Sequence, residues 1–405
     1  MGIALRVLAT RRMMVALVMG FSCGLPLLLT ITLLQAWMKA RGVDLGVIGL
    51  MSLVGLPYTL KFLWAPAMDR YSLSRLLGRR RSWLLASQLG LTAAIVALAH
   101  AEPAAHPWLT AALALGVSFS SASQDIVVDA YRREDVPTPE LGLASSLYVN
   151  GYRLGMLLAG GGGLILAQHI GFKGAYLVMA ACMLPGIITT LLTPEPPPTG
   201  GQPTTLAEAV VAPLKDFFSR PGAIEILAFI LLYKIGDSMA STMTTPFYME
   251  TGYTLAQIGT VVKLFGFWAT MAGTLIGGAL MLRLGMMRSL WGFGVLQGLS
   301  TAAFALLTLT GPSLAWLAGV VSFENITSGM GTAAFMAYMA ALTNRRFTAT
   351  QYALLTSLMG IPRVVASAPT GWMAEAMGWG WFFVFCALMA IPGLWLLVRL
   401  PAPES

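Results

Sequence analysis

Long apolar runs separated by short polar connections dominate the 405-residue chain. A run of about 20 apolar residues can cross the roughly 30 Å hydrocarbon core of a bilayer as a helix. Such runs occur at about residues 12–38, 45–67, 82–100, 107–130, 141–168, 172–192, 222–247, 255–280, 289–310, 312–340, 350–374 and 380–399. Helices satisfy their backbone hydrogen bonds internally, as lipid requires. The pattern therefore predicts an all-α integral membrane protein with twelve transmembrane helices.

The longest polar gap divides these runs into six and six. It begins T-P-E-P-P-P-T-G-G-Q-P at Thr193, and this proline- and glycine-rich composition is typical of a linker. We expect an N-terminal six-helix bundle over 1–192, a cytoplasmic linker over 193–220 and a C-terminal six-helix bundle over 221–405.

The two halves match each other at a shift of 210 residues, which suggests an internal duplication. The matched residues are Gly42, Leu45, Ile48, Gly49 and Arg153 with Gly252, Leu255, Ile258, Gly259 and Arg363, respectively. Two repeats with an even number of spans have the same orientation in the membrane. This arrangement favours a transporter in which two similar bundles move around a central site.

The composition excludes a soluble protein, because only 10% of the residues are charged and 57% are hydrophobic. Soluble proteins carry roughly 25% charged residues. The net charge of +8 comes from Lys and Arg in the connections, and most of these lie in alternate connections, such as Arg79 to Arg81. The opposite connections hold Lys39, Arg41 and Lys173. The positive-inside rule therefore predicts that both termini are cytoplasmic.

The sequence offers little for enzymatic chemistry. Its three cysteines and three histidines are not clustered, so we expect no metal site. It lacks the G-x-x-x-x-G-K-[ST] pattern of a nucleotide-binding loop, and we expect no cofactor and no enzymatic activity. Arg11 and Arg12 precede the first apolar run without a small-residue cleavage site after it, which predicts a retained helix rather than a removed signal peptide.

Ionisable residues inside the apolar runs are the main candidates for function. Each costs at least about 2.5–3.5 kcal/mol at a helix centre and should face a partner or a watery cavity. The bases are Lys61, Arg153, Lys234, Lys263 and Arg363, and the acids are Asp125, Asp129, Asp237 and Glu324. Structural ion pairs between helices are one interpretation. The other is that the cations hold an anionic cargo while buried acids carry protons.

Position along each run suggests the division of roles. Glu324 lies near mid-span with no near neighbour of opposite sign, which makes it the first candidate for proton coupling, before Asp125 and Asp129. Ser121, Asp125 and Asp129 share one helical face, and Lys234 and Asp237, three residues apart, are expected to pair. The predicted cargo contacts are Lys61, Arg153, Lys263 and Arg363, together with the polar residues Gln35, Gln124, Tyr152 and Asn325.

The connection A-P-A-M-D-R-Y-S-L-S-R-L-L-G-R-R-R, from Ala65 to Arg81, resembles the cytoplasmic signature of the major facilitator superfamily, with a longer spacing between Asp69-Arg70 and Gly78 than is usual. The resemblance implies a structural or gating role for Asp69, Arg70, Arg79 and Arg80. Longer stretches resemble the AmpG-type muropeptide permeases of Gram-negative inner membranes. They include G-L-P-L-L-L-T from Gly24, S-A-S-Q-D-I-V-V-D-A from Ser121, G-Y-R-L-G-M-L from Gly151, L-Y-K-I-G-D from Leu232, and F-E-N from Phe323.

This resemblance implies proton-driven import of N-acetylglucosaminyl-1,6-anhydro-N-acetylmuramyl peptides from periplasm to cytoplasm, in peptidoglycan recycling, β-lactamase induction and antibiotic resistance. It also implies the inner membrane, and the end at Ser405 resembles the short form of the family. Because a transporter made of two halves can work alone, we expect a functional monomer. Transport of acetyl-coenzyme A, of another bulky anion or of a drug is an alternative. A membrane-embedded transferase is a further alternative that would need a larger soluble loop or a concentrated acidic motif.

Overall fold

The fold is helical throughout the part of the chain that a computed structural model describes, which is residues 10–43, 47, 51–197, 205–254, 257–366 and 369–400. The side chains of residues 52, 206–207, 245, 259, 263 and 361–365 lie outside this description. In chain order the α-helices are α1 Arg11–Leu28, α2 Leu34–Ala40, α3 Leu56–Leu60, α4 Ala65–Arg70, α5 Arg79–Ala99, α6 Pro107–Asp135, α7 Leu141–Leu157, α8 Gly163–Ala181, α9 Leu184–Leu192, α10 Leu206–Phe218, α11 Ala223–Leu232, α12 Ile235–Glu250, α13 Gly266–Leu284, α14 Met286–Thr310, α15 Leu314–Leu342, α16 Thr348–Val365, α17 Thr370–Met377, α18 Trp379–Leu388 and α19 Ala390–Arg399. No strand occurs among the described residues, which confirms the prediction of an all-α fold.

Seven stretches of these helices are long and apolar enough to cross a membrane. They are Arg11–Ala40, Arg79–Ala99, Pro107–Asp135, Thr138–Leu192, Thr260–Leu284, Met286–Thr310 and Trp379–Arg399. The count of twelve spans and the cytoplasmic position of the termini stay predictions.

Several helices begin or end in the polar segments assigned to connections. Helix α5 begins at Arg79 rather than near residue 82, and α6 continues to Asp135 rather than ending near residue 130. The arginines at these ends, Arg80, Arg132 and Arg133, are therefore buried residues of helices rather than exposed loop residues. Charge alone placed them in loops, whereas Arg80 binds two carboxylates, and Arg132 binds Asp129 and lies over the ring of Tyr148.

Contacts group the chain into two compact units. Unit 1 consists of Met1–Pro137, Leu147–Leu214 and Thr343–Ser357, and unit 2 of Thr138–Ser146, Lys215–Leu342 and Leu358–Ser405. The division of the chain into two six-helix bundles, ending at residue 192 and beginning at residue 221, stays a prediction.

Close packing of α1 against α7 organises unit 1. A Cβ added to Gly151 would lie 2.0 Å from the carbonyl oxygen of Leu17, and one added to Gly24 would lie 1.9 Å from that of Tyr152. Only glycine lets the two backbones approach this closely, as in the small-xxx-small packing of membrane helices. The close approach of α1 and α7 determines which side of α1 faces α6 and α7.

Unit 2 uses the same device between α13 and α15. A Cβ added to Gly273 would lie 2.2 Å from the Ile326 carbonyl oxygen, and one added to Gly329 would lie 2.4 Å from that of Thr270. Helix α15 carries Glu324, and its contact with α13 includes the hydrogen bond from Thr270 to Asn325.

Glycines with a left-handed backbone conformation recur at matching positions in the two halves of the sequence. Gly42 and Gly252, which the shift of 210 residues aligns, have φ values of 76° and 99°. At both sites the glycine N–H donates to the carbonyl three residues earlier, and the next N–H donates to the carbonyl five residues earlier. This is the Schellman end of a helix, for which glycine is favoured. Of the other residues that carry this match, Leu45, Ile48, Gly49 and Leu255 lie outside the described residues.

Two further pairs of glycines recur at a shift of 207 residues. Gly78 and Gly285 precede α5 and α14 with φ values of 82° and 77°. Gly171 interrupts α8 and Gly378 separates α17 from α18, both with φ 75°. Non-glycine residues rarely adopt this conformation. The repeated backbone conformations support the predicted duplication.

Candidate functional site

A cluster of buried charge lies on one face of α6 in unit 1. Asp125 and Asp129, one helical turn apart, are both buried. Lys61 is also buried and interacts electrostatically with both carboxylates. The turn that carries Lys61 is held against α6 by Trp64, whose Nε1 donates to Ser123 Oγ at 3.1 Å. Lys61 is thus a partner of the acids, in addition to its predicted role in cargo binding.

Arg132 extends this cluster and was not predicted as a site residue. Its Nη2 donates to Asp129 Oδ1 at 3.1 Å and to the Tyr352 hydroxyl at 2.9 Å. Its guanidinium lies 4.3 Å from the centroid of the Tyr148 ring, within the range of a cation–π interaction. Its Nε and Nη1 have no hydrogen-bond partner among the described residues. The signal in the sequence was its i+3 spacing from Asp129.

The polar residues predicted to bind cargo in this unit differ in exposure. The Gln124 side chain is fully buried, and its Nε2 donates to Ser22 Oγ at 3.2 Å and to Cys23 Sγ at 3.3 Å, so it joins α6 to α1. Gln35, Tyr152 and Arg153 are half-buried. The side chains of Lys263 and Arg363 lie outside the described residues.

An arginine network joins the start of α5 to the end of α6. The fully buried Arg80 guanidinium donates to Glu134 Oε1 at 2.6 Å and to Asp69 Oδ1 at 2.7 Å. Its Nε lies 3.1 Å from Glu134 Oε2, which makes the pair with Glu134 bidentate. Arg79 donates to the Asp69 backbone carbonyl and to Glu134 Oε1. Arg70 lies over the ring of Tyr71, 4.8 Å from its centroid.

Asp69 also binds the beginning of α16. Its Oδ2 accepts from the Thr350 N–H at 2.8 Å and from the Thr350 hydroxyl at 2.7 Å, and its Oδ1 accepts from the Ala349 N–H at 3.2 Å. These are among the first N–H groups of the helix, which lack intrahelical partners and favour negative charge. The carboxylate therefore has both a cation and a helix N-terminus as partners.

Glu195, in the segment predicted to be the linker, performs a similar function for α5. Its two carboxylate oxygens accept from the backbone N–H groups of Arg80 at 2.8 Å and Arg81 at 3.0 Å. The Arg81 side chain in turn donates to the carbonyls of Thr190 and Leu191 at the end of α9. Nothing in the local pattern around Glu195 indicates this contact, because its partners are more than a hundred residues away in sequence.

A second cluster of charged residues, these half-buried, lies in unit 2. Lys234 Nζ lies 3.3 Å from Asp237 Oδ2, which confirms the predicted i, i+3 pair. The same Nζ donates to Thr332 Oγ1 on α15 at 3.2 Å. The pair therefore ties the junction of α11 and α12 to α15.

Glu324 belongs to this cluster, although the sequence suggested no partner of opposite sign near it. The Ser300 hydroxyl donates to Glu324 Oε2 at 2.6 Å, and its oxygen lies 2.7 Å from the Thr327 hydroxyl. Asp237 and Lys234 both interact electrostatically with Glu324. These groups lie on α14 and at the start of α12, so the sequence near Glu324 does not indicate them, and its role in proton coupling stays a prediction.

Asn325, one residue further along α15, is engaged within the protein. Its Nδ2 donates to the Val321 carbonyl at 2.9 Å, and its Oδ1 accepts from Thr270 Oγ1 at 2.7 Å. These contacts join α13 to α15. Chemically, each unit places carboxylates, buried in unit 1 and half-buried in unit 2, where they interact electrostatically with a lysine, an arrangement suited to binding and releasing a proton.

Comparison with known proteins gives consistent relatives. A sequence model of the Major Facilitator Superfamily matches residues 12–367. The anhydromuropeptide permease of Escherichia coli strain K12 is 47% identical over 396 residues, which cover 97% of this chain and 80% of that protein. The putative transporter AmpG 4 of Rickettsia conorii is 32% identical and matches 95% of each chain.

Among solved structures, the human organic anion transporter MFSD10 superposes with a TM-score of 0.67 over 97% of this chain and 99% of that chain. At 16% identity, this likeness shows the fold alone. The family match over most of the sequence and the relatives above 30% identity show the family directly. The chain therefore belongs to the major facilitator superfamily and, within it, to the family of the anhydromuropeptide permeases.

Proposed function

We propose that this protein is a proton-coupled permease that imports N-acetylglucosaminyl-1,6-anhydro-N-acetylmuramyl peptides across the inner membrane of a Gram-negative bacterium. The observation that carries the proposal is the 47% identity to the E. coli anhydromuropeptide permease over 97% of the chain. In this proposal the protein is a transporter rather than an enzyme, acts as a monomer and serves peptidoglycan recycling.

The chemistry of the cargo is compatible with the charges that the sequence places within the membrane. A muropeptide carries carboxylates, and arginine binds a carboxylate through two parallel hydrogen bonds. We assign cargo binding to Arg153 and Arg363, helped by Lys61, Lys263, Gln35 and Tyr152. Gln124 and Asn325 hold helices together in the described structure, so in this proposal they shape the site and contact cargo only after a rearrangement.

Proton coupling is assigned to the acids that lie within the helices. Glu324 in unit 2 and Asp125 and Asp129 in unit 1 each interact electrostatically with a lysine, so protonation changes the net charge of each cluster. Such a change in net charge alters the relative free energies of the conformations of the protein and can therefore bias the equilibrium between them. Asp69, Arg79 and Arg80 are assigned to the control of that equilibrium, with Arg70 beside them.

The test is uptake of labelled anhydro-disaccharide tetrapeptide into proteoliposomes, with and without an inward proton gradient. Accumulation above equilibrium only with the gradient supports a muropeptide–proton symporter. Flux that never exceeds equilibrium would support a facilitator and contradict symport. Absence of flux, together with uptake of acetyl-coenzyme A or of a drug in parallel vesicles, would overturn the proposed cargo.

Substitutions of the two arginines test the assignment of the cargo site. We expect Arg153→Ala and Arg363→Ala to weaken binding by about tenfold or more, because a charge-assisted hydrogen bond contributes about 1.5–3 kcal/mol. Arg283→Ala, which removes an exposed arginine of α13, is the matched control. Uptake at several cargo concentrations measures the affinity. Unchanged affinity in both variants would exclude the carboxylate-binding role.

A further inference from the structure

Arg132 has more hydrogen-bond donors than its described partners use. Its side chain is 2% exposed, and Nη2 alone binds both Asp129 and Tyr352. The Nε and Nη1 atoms are buried and have no hydrogen-bond partner among the described residues. Unpaired donors are costly on a buried charged group, and nearly all buried polar atoms in proteins have a partner. These two nitrogens therefore indicate a further ligand.

Asp135 has an unpaired acceptor on the same helix. Its Oδ1 lies 3.2 Å from Arg11 Nη2, whereas its Oδ2 is buried and has no hydrogen-bond partner within the described part of the chain. Asp129 lies three residues before Arg132 and Asp135 three residues after it, and residues three apart are neighbours on a helix. Arg132 thus lies between two carboxylates of α6.

A small cavity between α1, α6 and α7 adjoins Arg132 and Asp135. Both residues line it, together with Arg12, Met19 and Tyr148 among others, and it has room for about one water molecule. All of its lining residues belong to unit 1. A buried water makes two to four hydrogen bonds, so it can accept from a guanidinium and donate to a carboxylate at the same time.

We propose that this cavity binds one water molecule, which accepts a hydrogen bond from the Arg132 guanidinium and donates one to Asp135 Oδ2. Through this water, Asp135 is a second counter-ion of Arg132. The ring of Tyr148, 4.3 Å from the guanidinium, and the Tyr352 hydroxyl hold Arg132 on its other sides. Arg132 is thus a positioning residue between the two carboxylates.

The water site has a consequence for proton coupling, and only this consequence rests on the proposed function. The Arg132 cation, 3.1 Å from Asp129, stabilises the ionised form of that carboxylate. When Asp129 takes up a proton, one O–H bond forms and the ion pair is lost. Asp135 then still provides Arg132 with a negative charge through the water, so the buried cation is compensated in both states.

Other charged and titratable groups surround this chain of residues. They are Lys61, Asp125, Cys23 and Tyr152 around Asp129, and Arg11, Arg12 and Tyr131 around Asp135. Substitutions at Arg132 and Asp135 leave all of these groups in place. A comparison between such variants therefore isolates the effect of the two substituted residues.

Radical footprinting tests the water site without reference to transport. X-ray pulses convert water into hydroxyl radicals, and a bound water oxidises the side chains around it even where bulk solvent does not reach. Met19 lines the cavity and is 1% exposed. We expect its oxidation to be severalfold faster than that of Met179, which is fully buried in the same unit and does not line this cavity. Ala16→Val, which narrows the cavity, should slow the oxidation of Met19.

The pH dependence of counterflow tests the link to Asp129. Counterflow is the exchange of labelled for unlabelled muropeptide in proteoliposomes without a gradient, and in a symporter its rate falls as the pH rises and the carrier loses its proton. We expect Arg132→Gln to raise the pH midpoint by about one unit, because the cation that stabilises the ionised Asp129 is gone. Asp135→Asn should lower the midpoint by a smaller amount, since Arg132 then pairs with Asp129 alone. In R132Q/D135N the second shift should disappear, because Asp135 acts through Arg132.

Arg133→Gln is the matched control, because it removes the same charge from the next residue of α6, which is also buried. Its midpoint should equal that of the wild type. Oxidation of Met19 no faster than that of Met179 would overturn the water site, and this measurement needs no variant to fold. Equal midpoints for Arg132→Gln and the wild type would overturn the link to Asp129. A wild-type protein without counterflow would instead contradict the proposed cargo, and counterflow without pH dependence would contradict symport; the oxidation of Met19 still tests the water site in both cases.

Discussion

At the scale of single residues, Arg80 shows how this protein stabilises a charge in an apolar environment. It binds Glu134 and Asp69 simultaneously, and all three side chains are buried. Removing one partner of a buried ion pair typically costs about 3–5 kcal/mol, because the remaining charge is left without compensation. Here two carboxylates would lose their common partner.

We therefore expect Arg80→Met to lower the thermal unfolding midpoint of the purified protein strongly. Arg80→Lys should recover only part of the loss, since an ammonium group cannot form the bidentate contact with Glu134. Thermal unfolding followed by size-exclusion chromatography measures the midpoint. Arg75→Met, on the exposed segment before α5, is the control and should be neutral. Equal midpoints for the two methionine variants would contradict the importance of the network.

Which of these residue contacts could be predicted depends on sequence separation. Lys234 and Asp237 are three residues apart on the chain, so helical geometry alone predicts their pair. Arg80 and Glu134 are 54 residues apart, and Arg80 and Glu195 are 115 residues apart. No local pattern relates such residues. For Glu324, the hydrophobic run indicated burial, but the identity of its partners on α12 and α14 required the tertiary structure.

At the scale of helices, glycines determine how closely two elements approach. The α1–α7 contact of unit 1 leaves no space for a side chain at Gly151, since its Cβ would lie 2.0 Å from a backbone oxygen. Backbone atoms cannot move aside as a flexible side chain can. An added methyl group must therefore separate the two helices.

We expect Gly151→Ala to destabilise the protein by about 1–3 kcal/mol, the usual range for overpacking. Gly161→Ala is a matched control, because no atom lies within 4 Å of the position of its added Cβ. Alanine is also the better helix former by about 1 kcal/mol, so propensity alone predicts the opposite sign. The unfolding midpoints of both variants distinguish the two effects. A midpoint for Gly151→Ala at or above that of Gly161→Ala would exclude the close contact as a constraint.

The helices themselves were largely predictable, and their ends were not. Apolar runs located the cores of α5, α6 and α15, whereas the charged ends of α5 and α6 were assigned to loops. Hydropathy cannot distinguish an exposed arginine from one that lies buried beside Glu134 or Asp129. The caps supplied by Asp69 and Glu195 come from other parts of the chain, so the ends of α16 and α5 are determined by tertiary contacts.

At the scale of the whole molecule, the repeated glycines connect sequence and fold. Identity at a few positions suggested a duplication, and the matching left-handed conformations at Gly42 and Gly252, and at Gly78 and Gly285, add independent support. A glycine in this conformation ends or redirects a helix. Corresponding changes of direction in the two halves are what a parallel repeat predicts.

The orientation of this arrangement in the membrane gives the last prediction. Positive residues concentrate in alternate connections, and the positive-inside rule assigns those connections to the cytoplasm. A single cysteine at Arg75 should therefore be protected from a membrane-impermeant maleimide in intact cells, and single cysteines at Lys39 or Lys173 should react. All three positions have exposed side chains, so burial in the protein does not determine the result.

The labelling background is a chain in which Cys23, Cys182 and Cys386 are replaced by alanine. Permeabilised cells provide the reference, because all three engineered cysteines should react once the reagent reaches both sides. Reaction of Arg75→Cys in intact cells would reverse the orientation and place the Asp69–Arg80 network on the outer side. Equal protection of Lys39→Cys and Arg75→Cys would instead show that the span predicted at 45–67 does not cross the membrane, because two positions separated by one span must lie on opposite sides of it.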